Sequence, residues 1–400
     1  KMQNFLPIIF SLVLVLQGYK IEVQTHSLSE TLNFVEERMK NSLEEIPNRG
    51  KFPRSIEGAK TAYVGVYDWT SGFYPGSLWY LYKLTGIESW KVQAEKMSEF
   101  LTPLQHYKKD HDIGFQLNCS FGNGYKFSNN ETYKEVIING AESLITRYDS
   151  IVGSIKSWDW SGKTKDGYQF NFPVIIDNMM NLELLFLASK LSGNPKYREV
   201  AISHARTTMK NHFRADYSSY HLVNYDSLTG EVLGKYTYQG YSHESSWARG
   251  QAWALYGFTL CAKETGQEEF LHHAELIAKY IMEHPNMPED KVPMWDYHAG
   301  VVGFEPSWSQ LLPKKIDWKD ASAAAITSSA LLDLGSLTGK KKFIDFATEI
   351  FNNLNADYRS DNKSFILGKS VGNLPKNSEI DVPLNYADYY FLETLVKLNK

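Results

Sequence analysis

The 400-residue sequence predicts an all-α fold in which helical hairpins close into a ring, with the loops gathered at one end. A weak repeat supports this prediction: an apolar helix end is followed by a Thr-Gly or Ser-Gly turn and then by an aromatic residue that opens another helix. Sustained β alternation is scarce. An open helical solenoid is the alternative, but it would require a regular period, whereas successive copies lie 107, 73 and 73 residues apart.

Each copy of the repeat predicts one helical hairpin. The turn glycines are Gly86, Gly193, Gly266 and Gly339. Glycine is the expected residue just after a helix, because it adopts the left-handed conformation without steric cost. Apolar residues at three- and four-residue spacing follow each turn and predict the second helices, at 90–101, 197–213, 270–283 and 343–354.

Loops rich in Gly, Asn, Ser, Trp and Tyr separate the hairpins, at 159–172, 217–246 and 293–315. Short alternating stretches at 220–225 and 230–238 predict one β-hairpin within them. Long loops between regular helices usually carry function. We therefore expect the functional residues at the loop end of the ring.

The first residues are polar and precede an apolar run at 5–16. A run of roughly a dozen residues is too short to span a bilayer and is typical of a secretory signal. We interpret 1–24 as a signal peptide with a cloning remnant, Lys1 before Met2, and 25–400 as a single catalytic domain. We expect export to a bacterial periplasm, with no membrane attachment after the signal is removed. A buried N-terminal helix is the alternative.

The composition favours a saccharide ligand. The net charge is −4 and the basic residues are scattered, which argues against nucleic-acid binding. Ten Trp and 25 Tyr supply many flat apolar rings with polar edges, and such rings suit sugar faces. We expect no metal or cofactor, because the sequence has no His-Glu-x-x-His or cysteine cluster. Cys119 and Cys261 are predicted to be free thiols.

Two aspartates lie in apolar surroundings and are the candidate catalytic acids. Asp112 precedes Ile113, and Asp177 follows Ile176 where a helix is predicted to begin after Pro173. An apolar environment raises the pKa of a carboxyl, which is what a general acid needs at neutral pH. The purely structural alternatives are that Asp177 caps a helix or stabilises its dipole, and that Asp112 is a loop or capping aspartate.

The segment 239–253 is dense in side chains that bind sugars and acids. Arg249 offers a planar fork for a carboxylate or sulfate, while Trp247 and Trp253 offer faces for stacking. Arg249 and Trp253 are four residues apart and would share one face of a helix. In the alternative interpretation the tryptophans belong to the core and Arg249 forms an internal ion pair.

At these residues the sequence resembles the unsaturated glucuronyl hydrolases of glycoside hydrolase family 88. The similarity is carried by the segments 68–76, 111–115, 176–185, 247–253 and 320–324. A late motif departs from the family pattern, with Ala387 where a glycine is expected. The resemblance implies an (α/α)6 barrel, a ring of six helical hairpins, in agreement with the repeat.

The resemblance also implies an activity. The substrate would be a lyase-generated oligosaccharide, of glycosaminoglycan type by preference, with a 4,5-unsaturated uronic acid at its non-reducing end. Asp177 would protonate C4 of the enol ether and help water to add at C5, after which the hemiketal opens. Asp112 would orient the substrate and stabilise positive charge. Further residues are implied to line the sugar site: Trp69, His221, Gln239, Arg249 and Trp253.

Three other functions are considered. An unsaturated rhamnogalacturonyl hydrolase would act on pectin fragments, but the pair His111 and Asp112 argues against that family. An isomerase of the acylglucosamine epimerase kind would need paired catalytic histidines, and His221 has no evident partner. A non-enzymatic carbohydrate-binding toroid would keep the tryptophans without requiring two buried acids.

Overall fold

A computed structural model describes residues 26–47, 50–160, 162–163 and 167–399. Helices dominate this part of the chain. They are α1 (Leu28–Glu45), α2 (Phe73–Thr85), α3 (Glu88–Glu99), α4 (Ile113–Leu117), α5 (Asn123–Ser128), α6 (Thr132–Ile145), α7 (Leu182–Ser192), α8 (Pro195–Asn211), α9 (Ala248–Thr265), α10 (Glu268–Glu283), α11 (Ala321–Thr338), α12 (Lys341–Asp357) and α13 (Asn385–Leu398). A π-helical turn at Asn118–Gly122 joins α4 to α5, and a 3-10 helix at Ile176–Asn181 leads into α7.

The described helices form two concentric layers. The inner layer runs from α2 through the α4–α5 segment, the segment 176–192, α9 and α11 to α13, which packs against α2 and closes the ring. The helices α3, α6, α8, α10 and α12 lie outside it, and α1 joins this outer layer between α3 and α12. Inner helices such as α9 and α11 are buried on nearly every side, whereas α10 and α12 bury one stripe. The predicted (α/α)6 barrel is confirmed.

The predicted turns are present at all four repeats. Gly86, Gly193, Gly266 and Gly339 end their helices with φ between 67° and 72°. The second helices begin two residues earlier than predicted, at Glu88, Pro195, Glu268 and Lys341. The reason is that each aromatic residue is the third residue of its helix, where it packs inward as part of the core.

Short sheets accompany the barrel. The predicted hairpin forms between β6 (Leu222–Tyr225) and β7 (Val232–Tyr236). Its first strand also pairs with β5 (Phe172–Ile175). The prediction that a helix begins directly after Pro173 is therefore wrong, and the helix begins at Ile176. Other small sheets were not predicted: β1 (Phe52–Glu57) with β2 (Lys60–Val64), β3 (Tyr148–Asp149) with β4 (Ser154–Ile155), and β8 (Ser370–Asn373) with β9 (Ser378–Val382).

Two further predictions concern export and the cysteines. The signal peptide lies outside the described residues. Among the described helices, none is long and apolar enough to cross a bilayer. Cys119 and Cys261 are both buried and free, as predicted.

Gly114 fixes the segment of Asp112 against the segment of Asp177. A Cβ atom at Gly114 would lie 2.4 Å from Cβ and 2.5 Å from Cα of Asn181. The next residue, Phe115, donates its backbone N–H to Oδ1 of Asn181 at 2.8 Å. The two chain segments that carry the candidate acids are therefore in direct contact.

Gly114→Ala should reduce the free energy of unfolding by about 1–3 kcal/mol, because the added methyl group overpacks this contact. Chemical denaturation of the purified protein measures the change. Gly65→Ala is the matched control, since a Cβ atom there meets nothing within 4 Å. Equal stability of the two variants would contradict the close contact at Gly114.

Candidate active site

A cavity of about 320 Å³ opens at the loop end of the barrel. It contains both candidate acids, together with aromatic and basic side chains. Its lining comprises Arg54, Trp69, Asp112, Phe115, Ile175, Asp177, Tyr238, Gln239, Arg249, Gly372, Asn373, Lys376, Ser378, Glu379 and Tyr386.

Asp177 is the more deeply buried acid, with 9% of its surface exposed. It lies in the first turn of the 3-10 helix that follows β5, and the N-cap position of that helix is occupied by Ile175. Burial raises the pKa of Asp177 to about 7, against the opposing effect of the nearby positive charge of Arg249. Its carboxyl therefore retains a proton close to neutral pH.

Asp112 reaches the same cavity from the residue before α4. Its side chain is 24% exposed and makes no capping hydrogen bond, so the structural alternative of a helix cap does not apply. Burial raises the pKa of Asp112 well above its usual range, and the charges of Asp110 and Asp177 raise it further. Nε2 of His111 lies 3.4 Å from Oδ1 of Asp112. The structure thus places both acids together, as the sequence predicted.

His221 lies beside Asp177. Its Nδ1 accepts the backbone N–H groups of Tyr238 at 2.8 Å and Gln239 at 3.2 Å. Burial lowers the pKa of His221 to about 3, so the ring is neutral at physiological pH. Because Nδ1 is an acceptor, the ring proton is on Nε2, which lies 3.8 Å from Oδ2 of Asp177. His221 therefore faces the acid and lies behind the cavity lining.

Arg249 borders the cavity, but its guanidinium is already bound within the protein. Nη1 pairs with Asp320 at 3.0 Å and donates to the carbonyl of Val371, and Nη2 donates to the carbonyl of Gly372 at 2.6 Å. The side chain is 1% exposed. The internal ion pair weighed as the alternative is therefore observed, and a contact of Arg249 with the substrate stays a prediction.

The three predicted tryptophans have different positions. Trp69 borders the cavity and packs beside Tyr386, with ring centroids 5.1 Å apart. Trp253 is fully buried, between Phe115 and Tyr390. Neither Trp253 nor Trp247 is among the lining residues.

Trp247 is 4% exposed and packs against His221 and Arg249. The predicted stacking of sugars on Trp247 and Trp253 is therefore corrected, because their faces are covered by protein. Gln239 does line the cavity, as predicted.

The sequence did not identify the wall formed by the two hairpins β1–β2 and β8–β9. Arg54 of β1 binds Glu379 of β9 through two hydrogen bonds, of 2.7 and 2.9 Å, and also pairs with Asp68 at 2.8 Å. Lys376 stands exposed at the rim, 5.2 Å from the ring of Tyr238. The polar residues of these short hairpins follow no sequence pattern that predicts a binding site.

Two carboxyls with raised pKa values beside an aromatic wall define an acid–base site for a ligand of saccharide size. Comparison with known proteins agrees with this description. The profile described as Glycosyl Hydrolase Family 88 matches residues 49–398. The unsaturated glucuronyl hydrolase of Formosa agariphila is 43% identical over 379 residues, which cover 93% of this chain and 90% of that protein.

Solved structures show the same relationship. An unsaturated glucuronyl hydrolase described as specific for heparin superposes with a TM-score of 0.85 at 43% identity, over 92% of this chain and 96% of that chain. The enzyme from Bacillus sp. GL1, described as responsible for the degradation of glycosaminoglycan, superposes with a TM-score of 0.81 at 28% identity, over 94% and 97%. The chain belongs to glycoside hydrolase family 88. The predicted enzyme class, an unsaturated glucuronyl hydrolase, is confirmed.

Asp177→Asn should make the protein more stable at pH 8 and leave its stability nearly unchanged at pH 4. A carboxyl whose pKa is about 7 in the folded state and about 3.9 when unfolded destabilises the fold as pH rises between those values. The penalty above pH 7 is on the order of 4 kcal/mol, and the amide removes it. Urea denaturation at both pH values measures the difference.

Asp226→Asn is the matched control for this measurement, because Asp226 lies in the β6–β7 turn outside the cavity. It should show no comparable gain at pH 8. If Asp177→Asn shows none either, Asp177 ionises at an ordinary pKa in the folded protein.

Proposed function

We propose that this enzyme removes a 4,5-unsaturated uronic acid from the non-reducing end of glycosaminoglycan fragments produced by a lyase, by hydrating the C4=C5 double bond. The observation that carries the proposal is the pairing of Asp177, protonated near neutral pH, with Asp112 in one cavity. Relatives described as specific for heparin or responsible for glycosaminoglycan degradation support the substrate class.

Asp177 acts as the general acid in this proposal. An enol ether is protonated at the carbon β to its oxygen, so a proton delivered to C4 leaves positive charge shared between C5 and the ring oxygen. A carboxyl with a pKa of about 7 is protonated at the working pH and is a strong enough acid for the step. After transfer, the resulting carboxylate accepts a proton from the water that attacks C5.

Asp112 supplies the second carboxyl. Its carboxyl borders the same cavity, where it orients the substrate by hydrogen bonding to a sugar hydroxyl. The addition of water gives a hemiketal at C5, which opens and releases the remaining saccharide. The anomeric bond is not attacked directly, so the spacing rule for retaining and inverting glycosidases does not apply.

The walls of the cavity suit an anionic sugar. Trp69 and Tyr238 present aromatic surface on which a pyranose ring packs. The two guanidinium groups, of Arg54 and Arg249, are paired with protein carboxylates. Lys376 forms no ion pair with the described residues, and its ammonium is free to meet a negatively charged substrate at the rim.

The ultraviolet band of the conjugated double bond provides the test. The protein is mixed with unsaturated disaccharides released by chondroitin, hyaluronan, heparin, ulvan and pectin lyases. Absorbance should decay with glycosaminoglycan disaccharides, and Asp177→Asn should slow that decay by about 100- to 10,000-fold. Asp226→Asn should retain the wild-type rate.

Decay confined to the pectin fragment would contradict the proposed substrate class. Decay at a near-normal rate in Asp177→Asn would remove Asp177 from the mechanism. Circular dichroism of each variant establishes that it is folded, so that a lost rate reports on chemistry.

We also propose that the enzyme is exported to a bacterial periplasm. Support comes from the apolar run at 5–16, whose length fits a secretory signal. Expression with this leader, followed by N-terminal sequencing of the periplasmic fraction, should give a product that lacks the run. An uncleaved cytoplasmic product would contradict the proposal.

A further inference from the structure

Three buried polar atoms around the acid have no hydrogen-bond partner among the described residues. They are Oδ2 of Asp177, Nε2 of His221 and Nε1 of Trp253. Buried polar atoms without partners are rare in folded proteins and call for an explanation. Asp177 lines the cavity, and His221 and Trp253 lie behind that lining, next to its carboxyl.

Both nitrogens lie near the carboxyl of Asp177. Nε2 of His221 lies 3.8 Å from Oδ2 of Asp177, and the indole N–H of Trp253 is close enough to favour the charged form of that carboxyl. The backbone also ties the first pair together, because Ile176 donates its N–H to the carbonyl of His221 at 2.9 Å. Small movements on substrate binding would close both hydrogen bonds, since catalytic hydrogen bonds often tighten only in the complex.

Both nitrogens are donors. An indole nitrogen only donates, and His221 carries its proton on Nε2 because its Nδ1 accepts two backbone N–H groups. A carboxyl oxygen that faces an N–H donor, as Oδ2 faces Nε2 of His221, does not itself carry a proton. Since Oδ2 is buried and Asp177 lines the cavity, Oδ1 is the oxygen on the substrate side.

We propose that Trp253 and His221 are positioning residues that hold Oδ2 of Asp177 between two N–H donors and so assign the transferred proton to Oδ1. The inference rests on the proposed role of Asp177 as the acid. It also gives Trp253 a role through its N–H group, since both ring faces are covered by protein.

The other charged groups that face Asp177 are Arg249, on α9, and Asp112, before α4. Trp253→Phe leaves both in place and removes one donor that favours the charged carboxyl. The pKa of Asp177 should therefore rise in the variant. Loss of packing alone would lower the rate without moving this pKa.

The test is the pH dependence of kcat/KM for the wild type and Trp253→Phe. In the wild type, kcat/KM should fall above a pH of about 7, because the acid must be protonated. In Trp253→Phe this alkaline limb should move up by about 0.5–1 pH unit, and kcat at pH 6 should fall about tenfold as the carboxyl loses its orientation.

Trp79→Phe is the matched control. Trp79 is also fully buried, and its Nε1 donates to Oγ of Ser98 at 3.1 Å, outside the cavity. The control should keep the alkaline limb at the wild-type pH. If Trp253→Phe also keeps it there while kcat falls, the residue only fills space and the inference is wrong.

Two further measurements distinguish a failure of this inference from a variant that does not fold and from a failure of the proposed function. If Trp253→Phe does not fold, substitution of Trp253 by benzothienylalanine keeps the shape of the ring without the N–H group, and the same shift of the alkaline limb is expected. If Asp177→Asn is inactive and the limb does not move in the Trp253 variants, this inference fails and the proposed function stands. If Asp177→Asn remains active, the proposed function itself fails.

Discussion

The burial of the carboxyl of Asp177 is the constraint on which the rest of the site depends. Its neighbours Ile176 and Met179 are fully buried and only 9% of Asp177 is exposed, so the carboxyl ionises largely out of contact with bulk water. Burial pushes the pKa up, and the cation of Arg249 pulls it down. The balance leaves a carboxyl that is protonated near pH 7 and still able to release its proton.

Arg249 links this balance to the shape of the cavity. Its guanidinium is fixed by Asp320 and by the carbonyls of Val371 and Gly372, so the charge near Asp177 does not move. The same bonds hold β8 over the end of the inner helices. Glu379, in the paired strand β9, then binds Arg54 and brings the N-terminal hairpin to the cavity. The buried side chain of Arg249 therefore influences the pKa of Asp177 and also fixes the position of the β8–β9 wall of the cavity.

The fold and the acids were predictable because each has a local signal. Glycine turns mark the hairpins, and the apolar context marks Asp112 and Asp177. Spacing places Arg249 and Trp253 on one face of α9, but it does not distinguish a face on the cavity from one in the core. The wall at β8–β9 was missed because its polar residues lie in a short hairpin, in which Glu379 adopts a positive φ of 54° that a glutamate does not indicate.

Direct titration of the carboxyl of Asp177 is the most decisive measurement. The protein is labelled with ¹³C at the aspartate side-chain carboxyls, and the resonance of Asp177 is assigned by its loss in Asp177→Asn. Its chemical shift should report a protonated carboxyl at pH 5.5 to 6 and a midpoint of about 7. A midpoint near the ordinary aspartate value of about 4 would contradict the account, because the proposed acid would then have no proton to give at neutral pH.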